Sequence, residues 1–261
     1  MTTFAVQIDK VAGCVDDLAR TGARRREQDL PLLPEELTRG LAVEVGPGAN
    51  PGIILRSDTF VELGNPAQGS APLLLWTRDC ERLSDGRLTI VGPNIDEAAG
   101  ASLPFAQILL VAGPSLGPQL HPALVQAQYV SDQIEGYMVK SAADSLWARV
   151  SKKASAKGFS FETLGRALMA IMRSHVPQVE AMEVVFVTCG RDGVRRLGEI
   201  GAEARRVGSD IVKQQWKDRG FDVDCDLGCG SCSDKGVCDD VREIAGLRKK
   251  KELKGAAAGR G

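Results

Sequence analysis

Apolar and polar residues recur along this chain with two different periods, and the places where the period changes divide it. Val6, Val11, Val15 and Leu18 stand at helical spacing, which predicts a helix over residues 7–23. The run Arg24-Arg25-Arg26-Glu27 is expected to close it with positive charge at its C-terminal end. Leu30-Pro31-Leu32-Leu33-Pro34 then interrupts the pattern, so residues 1–41 read as an N-terminal helical appendage. Over residues 42–112 the apolar runs become short: Ile53-Ile54-Leu55, then residues 59–63, 73–77, 88–91 and 105–111. Each is bounded by Gly, Pro, Asn or Asp, as in strands joined by turns, and Asp85-Gly86 suggests a tight hairpin between Trp76 and Val91.

Beyond Gly117 the helical period returns in alternation with strands. Leu120, Leu124, Ala127, Val130, Ile134 and Met138 make one helical stripe, and residues 145–150 read as a strand. Ser160 is placed to cap a helix whose stripe is Phe161, Leu164, Leu168, Ile171 and Met172. Residues 184–188 form a buried strand, and a long helix is expected from Asp192 to about Arg219. This order predicts an α/β domain over residues 42–219, with a mixed sheet and packed helices, α+β being the alternative. A last helix is expected over residues 237–253, ending in Arg248-Lys249-Lys250-Lys251, before a frayed tail.

Composition adds limits. With 261 residues and 43 % hydrophobic content the chain can bury a sizeable core. Lys plus Arg total 33 against 34 for Asp plus Glu, a net charge of −1 that gives no support for a nucleic-acid partner. The longest apolar stretch, residues 108–112, is far too short to cross a bilayer. No membrane association is expected, and the cytoplasm is the default location.

The chemistry concentrates near the C-terminal end. Four of the seven cysteines, Cys225, Cys229, Cys232 and Cys238, fall in one stretch with the spacing C-x3-C-x2-C-x5-C. Gly228, Gly230, Ser231, Ser233, Asp234 and Gly236 between them let the backbone curl so that thiolates converge. A [4Fe-4S] cluster and a tetrahedral zinc ion both take four thiolates. The unequal intervals depart from the paired C-x2-C knuckles of zinc ribbons and suit a cube, with zinc as the alternative. Disulfides are disfavoured because residues 1–29 carry charges throughout and resemble no secretory signal. The first three cysteines also have the spacing with which radical enzymes hold a cube bearing an open iron, but Cys238 is available as a fourth ligand.

Other candidates are weaker. Cys14, Cys80 and Cys189 are isolated and expected to be small buried hydrophobes, although Cys189 stands where a strand opens into a helix. His121 and His175 are expected in capping or surface roles. Gly190-Arg191-Asp192-Gly193 begins the long helix, and Arg191, Arg195 and Arg196 form a candidate contact for a phosphate or coenzyme A. Neither a nucleotide-binding glycine motif nor a Ser-His-Asp or paired-carboxylate arrangement can be argued from the sequence.

Asp58-Thr59-Phe60-Val61-Glu62-Leu63-Gly64-Asn65-Pro66 resembles the Asp-Thr-aromatic-Val-Glu-aromatic-Gly-Gly-Pro stretch of the beta subunit of the carbon monoxide dehydrogenase/acetyl-CoA synthase complex. Val91-Gly92-Pro93-Asn94-Ile95-Asp96-Glu97 is similar to that family's Gly-Pro-Asp-Ile-Asp segment, and Ile134-Glu135-Gly136-Tyr137-Met138 to its Glu-Gly-Val-Met helix end. Trp147-Ala148-Arg149-Val150-Ser151-Lys152 is similar to its Trp-Val-Arg-Val-Ser-Lys strand, and residues 158–171 to the helix that follows. The resemblance covers about residues 56–219 in family order and implies the middle α/β domain, the one preceding the nickel-bearing domain. It sets the four cysteines where the family's cluster ligands begin, which strengthens the [4Fe-4S] reading. The family's distal nickel is held by Cys-Gly-Cys, whereas this chain reads Cys229-Gly230-Ser231-Cys232, so acetyl-CoA synthesis is not carried over. The expectation is an iron–sulfur subunit for electron transfer, docking or assembly in anaerobic one-carbon or acyl-CoA metabolism. Its partners are subunits of a larger enzyme complex or a redox partner such as ferredoxin. The alternatives are a component of a CO-methylating acetyl-CoA synthase with nickel ligands from another chain, and a zinc-stabilised interaction module.

Overall fold

The computed structural model describes residues 4–218, apart from Pro47, Pro51, residues 129–132 and Ala143; at Pro34 and Ala142 it describes the backbone alone. The chain divides into two compact units, Met1–Val207 and Gly208–Gly261. Of the second, residues 208–218 are the end of a helix. The expected last helix and the four clustered cysteines lie outside the described residues.

The elements follow as α1 (Ala5–Arg20), β1 (Arg25–Asp29), α2 (Pro34–Thr38), β2 (Thr59–Leu63), β3 (Ser70–Thr77), β4 (Arg87–Val91), β5 (Ser102–Leu103) and β6 (Phe105–Ala112). After them come α3 (His121–Gln128), β7 (Tyr137–Ala142), β8 (Ser145–Ser151), α4 (Lys152–Ala156), α5 (Phe161–His175), β9 (Ala181–Val187) and α6 (Arg191–Asp218). Five strands form a sheet of order β1-β4-β9-β6-β3. β4 is parallel to β9 and β3 to β6, while the β6–β9 and β1–β4 pairs are antiparallel, so the sheet is mixed and the fold is α/β.

Every residue of β6, and all of β3 from Ala71 onward, is buried. Such near-continuous apolar strands need cover on both faces. α5 covers one. The Ser160 hydroxyl accepts from the Thr163 N–H at 3.3 Å as its cap, and the stripe Phe161, Leu164, Leu168, Ile171 and Met172 is buried. Phe161 stacks on Phe186 of β9 and Phe105 of β6, with ring centroids 4.6 Å and 5.9 Å apart. The opposite face lies under the first part of α6, where a Cβ on Gly201 would stand 3.4 Å from Leu73 Cγ. α1 shares that side, tied to α6 by Lys10–Glu203 at 2.6 Å and Arg196–Asp17 at 2.9 Å.

A second sheet has four strands in the order β5-β2-β8-β7. β8 buries Leu146, Ala148 and Val150 and turns Trp147 and Arg149 to its other face. Gly64 (φ +67°) ends β2 against this strand, where a Cβ would come within 2.3 Å of Leu146 O.

Four expectations differ from the structure. Arg24 to Glu27 do not close a helix: α1 ends at Arg20, and Arg25–Asp29 form an edge strand on β4. Their charges are met by carboxylates, Arg25 by Asp16 and Arg26 by Glu97, and a charged edge resists further pairing. α1 and β1 belong to the unit Met1–Val207. Asp85-Gly86 makes a turn but no hairpin, because β3 pairs with β6 while β4 lies between β1 and β9. The stripe from Leu120 to Met138 is not one helix; α3 ends at Gln128, and Gly136 (φ +72°) leads into β7 on β8. Finally, Ile53 to Leu55 join neither sheet.

Gly64 carries both a left-handed backbone and a backbone collision, whereas Gly22 (φ +99°) faces open space. Gly64→Ala is therefore expected to cost about 3 kcal/mol or more, and Gly22→Ala about 1 kcal/mol. Denaturant unfolding of the two variants checks this; equal losses would sink it.

Candidate functional site

The strongest motif, Cys225, Cys229, Cys232 and Cys238, lies outside the described residues, and the body before it carries the remaining candidates. Its three cysteines are separate. Cys14 is buried with its thiol 3.9 Å from Gly193 O, Cys189 is part-exposed with its thiol 3.5 Å from Val91 O, and Cys80 is also part-exposed. Burial pushes all three thiols up, at Cys14 against the pull of Arg196. A reactive or ligating thiol shows the opposite shift. Among the described residues no group of three or more His, Cys, Asp or Glu is arranged to hold a metal ion. His121 is not at the surface: it is buried, Trp76 Nε1 donates to its Nδ1 at 3.3 Å, and Phe4 stacks on its ring. His175 ends α5 exposed, with Nδ1 2.9 Å from Ile171 O.

Arg191, Arg195 and Arg196 all stand on the first turns of α6, which Gly190 (φ +68°) starts three residues after β9. Their guanidinium groups go to different places. Arg191 Nε donates to Gln68 Oε1 at 2.9 Å, Arg195 meets Asp192 at 3.1 Å and Glu199 at 3.9 Å, and Arg196 meets Asp17 of α1 at 2.9 Å. The bond from Arg196 holds Asp17 below the usual carboxylate range.

Just before α6, the C-terminal ends of β4 and β9 are locked together. Thr188 Oγ1 donates to Pro93 O at 2.7 Å, and a Cβ on Gly92 (φ +107°) would stand 2.7 Å from that hydroxyl oxygen. Arg26 holds Glu97 through two bonds of 2.8 Å and 2.9 Å, and Glu97 also accepts the Asn94 N–H at 2.8 Å. These donors, Arg26 first, pull the Glu97 carboxyl to about 2.

The second sheet carries a polar cluster that sequence reading missed. Arg149 Nε donates to Glu62 Oε1 at 3.1 Å, and Asn65 Nδ2 donates to Glu62 Oε2 at 2.8 Å and to Ser102 Oγ at 2.6 Å. The Arg149 guanidinium also lies over the Trp147 ring at 4.8 Å. Burial works to raise the Glu62 carboxyl, yet the bonds from Asn65 and Arg149 outweigh it and hold the group low. The available signals were the turn at Gly64, which sets Asn65 beside Glu62, and the i, i+2 spacing that puts Trp147 and Arg149 on one strand face.

Two segments distant in sequence, 58–66 and 147–152, thus converge on one site. A family model whose description reads CO dehydrogenase/acetyl-CoA synthase complex beta subunit matches residues 41–192, more than half of the chain. The chain belongs to this family. The acetyl-CoA decarbonylase/synthase complex subunit beta 1 of Methanosarcina thermophila is 31 % identical over 193 residues, 72 % of this chain and 40 % of that relative. The corresponding subunit beta of Methanothermobacter thermautotrophicus is 30 % identical over 194 residues, 74 % of this chain and 41 % of its own length. That of Methanopyrus kandleri is 31 % identical over 151 residues, 57 % of this chain and 32 % of its own. The chain therefore spans about two fifths of the length of the first two relatives. The family match covers β2 to β9 and the first residues of α6; α1, β1 and the four cysteines fall outside it.

Two outcomes follow for the family domain. Arg149→Met strands a part-buried carboxylate and is expected to cost about 2 kcal/mol. The loss should shrink in a Glu62→Gln background, because that variant has no charge left to strand; a double-mutant cycle showing no coupling refutes the pair. Because the folded Glu97 carboxyl is lowered from 4.5 to about 2, its contribution is complete above about pH 4.5 and lost as pH falls towards 2. Glu97→Gln should lower the melting temperature at neutral pH and flatten its fall over that acid window. An unchanged acid slope contradicts the assignment.

Proposed function

We propose that this chain is a cluster-bearing subunit of an acetyl-CoA decarbonylase/synthase type of assembly, in which Cys225, Cys229, Cys232 and Cys238 hold one [4Fe-4S] cluster. The observation that carries the reading is C-x3-C-x2-C-x5-C, placed after a body of the beta-subunit family. Four thiolates make a soft donor set that fits the cluster without help from histidine or carboxylate. When bound, the cluster supplies one-electron transfer. The chain's own residues supply the ligands, the glycine and serine turns between them, and a folded domain that docks on the rest of the assembly.

Relatives whose names make them subunits of a complex support a role in electron transfer, docking or assembly beside larger enzyme subunits, with a ferredoxin as the class of redox partner. Among the described residues no helix is long and apolar enough to cross a membrane. Cys229-Gly230-Ser231-Cys232 lacks the Cys-Gly-Cys that the resemblance requires for square-planar nickel, so carbon–carbon bond formation is not placed on these residues. A phosphate or coenzyme A contact at Arg191, Arg195 and Arg196 is secondary, since Gln68, Asp192, Glu199 and Asp17 already engage all three.

Protein purified without oxygen should be brown and contain about four iron and four sulfide per chain, with both lost in the Cys229→Ser, Cys232→Ser double variant. One zinc and no sulfide would overturn the proposal in favour of a zinc-stabilised module.

A further inference from the structure

We infer that residues 53–55 are a docking edge for another subunit and take up an extended segment of that partner rich in acidic and aliphatic residues. Ile53 is 87 % exposed and Leu55 59 % exposed, on either side of Ile54 at 4 %. Out, in, out is the alternation of a half-buried strand, and the backbone at Leu55 is extended (φ −68°, ψ 161°). Yet the segment joins neither sheet. Two of its carbonyls are occupied, Ile54 O by Arg149 Nη1 at 3.3 Å and Leu55 O by the Asp58 N–H at 3.0 Å. The N–H groups of Ile53 and Leu55 make no hydrogen bond to a described residue. Solvent-facing aliphatic side chains beside free backbone donors are what an added strand covers, its carbonyls meeting the donors and its side chains the aliphatics.

Charge selects the occupant. Among the described residues Arg56 forms no ion pair, and the Lys152 ammonium donates to Ser57 O at 2.7 Å and has no carboxylate partner. Lys153, 79 % exposed, adds a further cation, although Glu135 lies 3.6 Å away. Against these stands Asp58 in the same turn, so the rim is net positive and favours an acidic segment. A second copy of this chain would bring the same cations. Two exposed side chains also fall far short of the roughly 800 Å² per partner of a stable globular interface, which suits a peptide-like segment. The support is firm from behind, because the Arg149 that bonds Ile54 O is itself paired with Glu62.

The inference rests on the docking part of the proposed function and not on the cysteines. The test uses the full chain in its native assembly. Amides 53 and 55 should exchange hydrogen more slowly in the assembly than in the isolated chain, and a photo-cross-linker at position 53 should join an acidic, extended segment of another subunit. Ile53→Asp with Leu55→Asp should weaken co-elution about tenfold, with melting and iron content unchanged. Lys152→Glu should weaken it on its own, which keeps the test sharp if the double variant misfolds. Unchanged exchange, wild-type co-elution of Lys152→Glu, or a cross-link between two copies of this chain overturns the inference. A wild-type chain that holds no iron, with co-elution weakened in these variants as stated, strikes the cluster proposal and leaves the docking edge standing.

Discussion

β9 is buried along almost its whole length, parallel to β4 on one side and antiparallel to β6 on the other, and the domain is arranged to keep it covered. Phe186 on one face receives the Phe161 ring of α5. The other face belongs to α6, which leaves β9 after a three-residue turn and comes back across the sheet on the side of Leu73. α1 closes the remaining flank. Leu18 sits so near the start of α6 that a Cβ on Gly193 would meet it at 2.5 Å. The first helix is thus part of the cover for the central strand.

What the sequence made legible were the elements whose signal is local. α5 declares itself through a cap at Ser160 and a stripe at helical spacing, and β9 through the run Val184-Val185-Phe186-Val187 ahead of Gly190. Pairing over distance left no such trace. β3 ends where a hairpin to β4 looked natural, but β6, beyond Gly100, supplies a longer apolar partner in parallel register over all eight residues. β7 was hidden by coincidence of period: Ile134 and Met138 fall four apart as on a helix, yet Gly136 takes φ +72° and Tyr137 pairs with Val150. The arginines of β1 looked like a helix end because charge says nothing of backbone until its partners, Asp16 and Glu97, are known.

The candidate site divides in the same way. Cysteine spacing is a local signal and can be read from sequence alone, whereas the Glu62–Arg149 cluster joins residues on β2 and β8, far apart in the chain, and appears only after folding. Its meaning also differs. Three glutamates of the family-like segments are engaged internally: Glu62 by Arg149, Glu97 by Arg26, and Glu135 by Lys157 at 2.8 Å. A general base needs a carboxylate whose proton affinity sits near the working pH, and Glu62, Glu97 and Glu135 are all shifted the other way.

That commitment bears on how the domain can serve an assembly. Paired carboxylates rigidify the sheet that carries them, and a net charge of −1 gives little long-range attraction for a partner. Recognition must then come from short-range features, where unpaired donors and apolar side chains meet solvent together. Within the family domain Ile53 to Leu55 are such a place, held from behind by Arg149. The proposed electron transfer at the thiolates and the proposed docking at this edge make separable demands, one for soft ligands and one for an open strand partner. A chain that meets both from different residues can lose either while keeping the other.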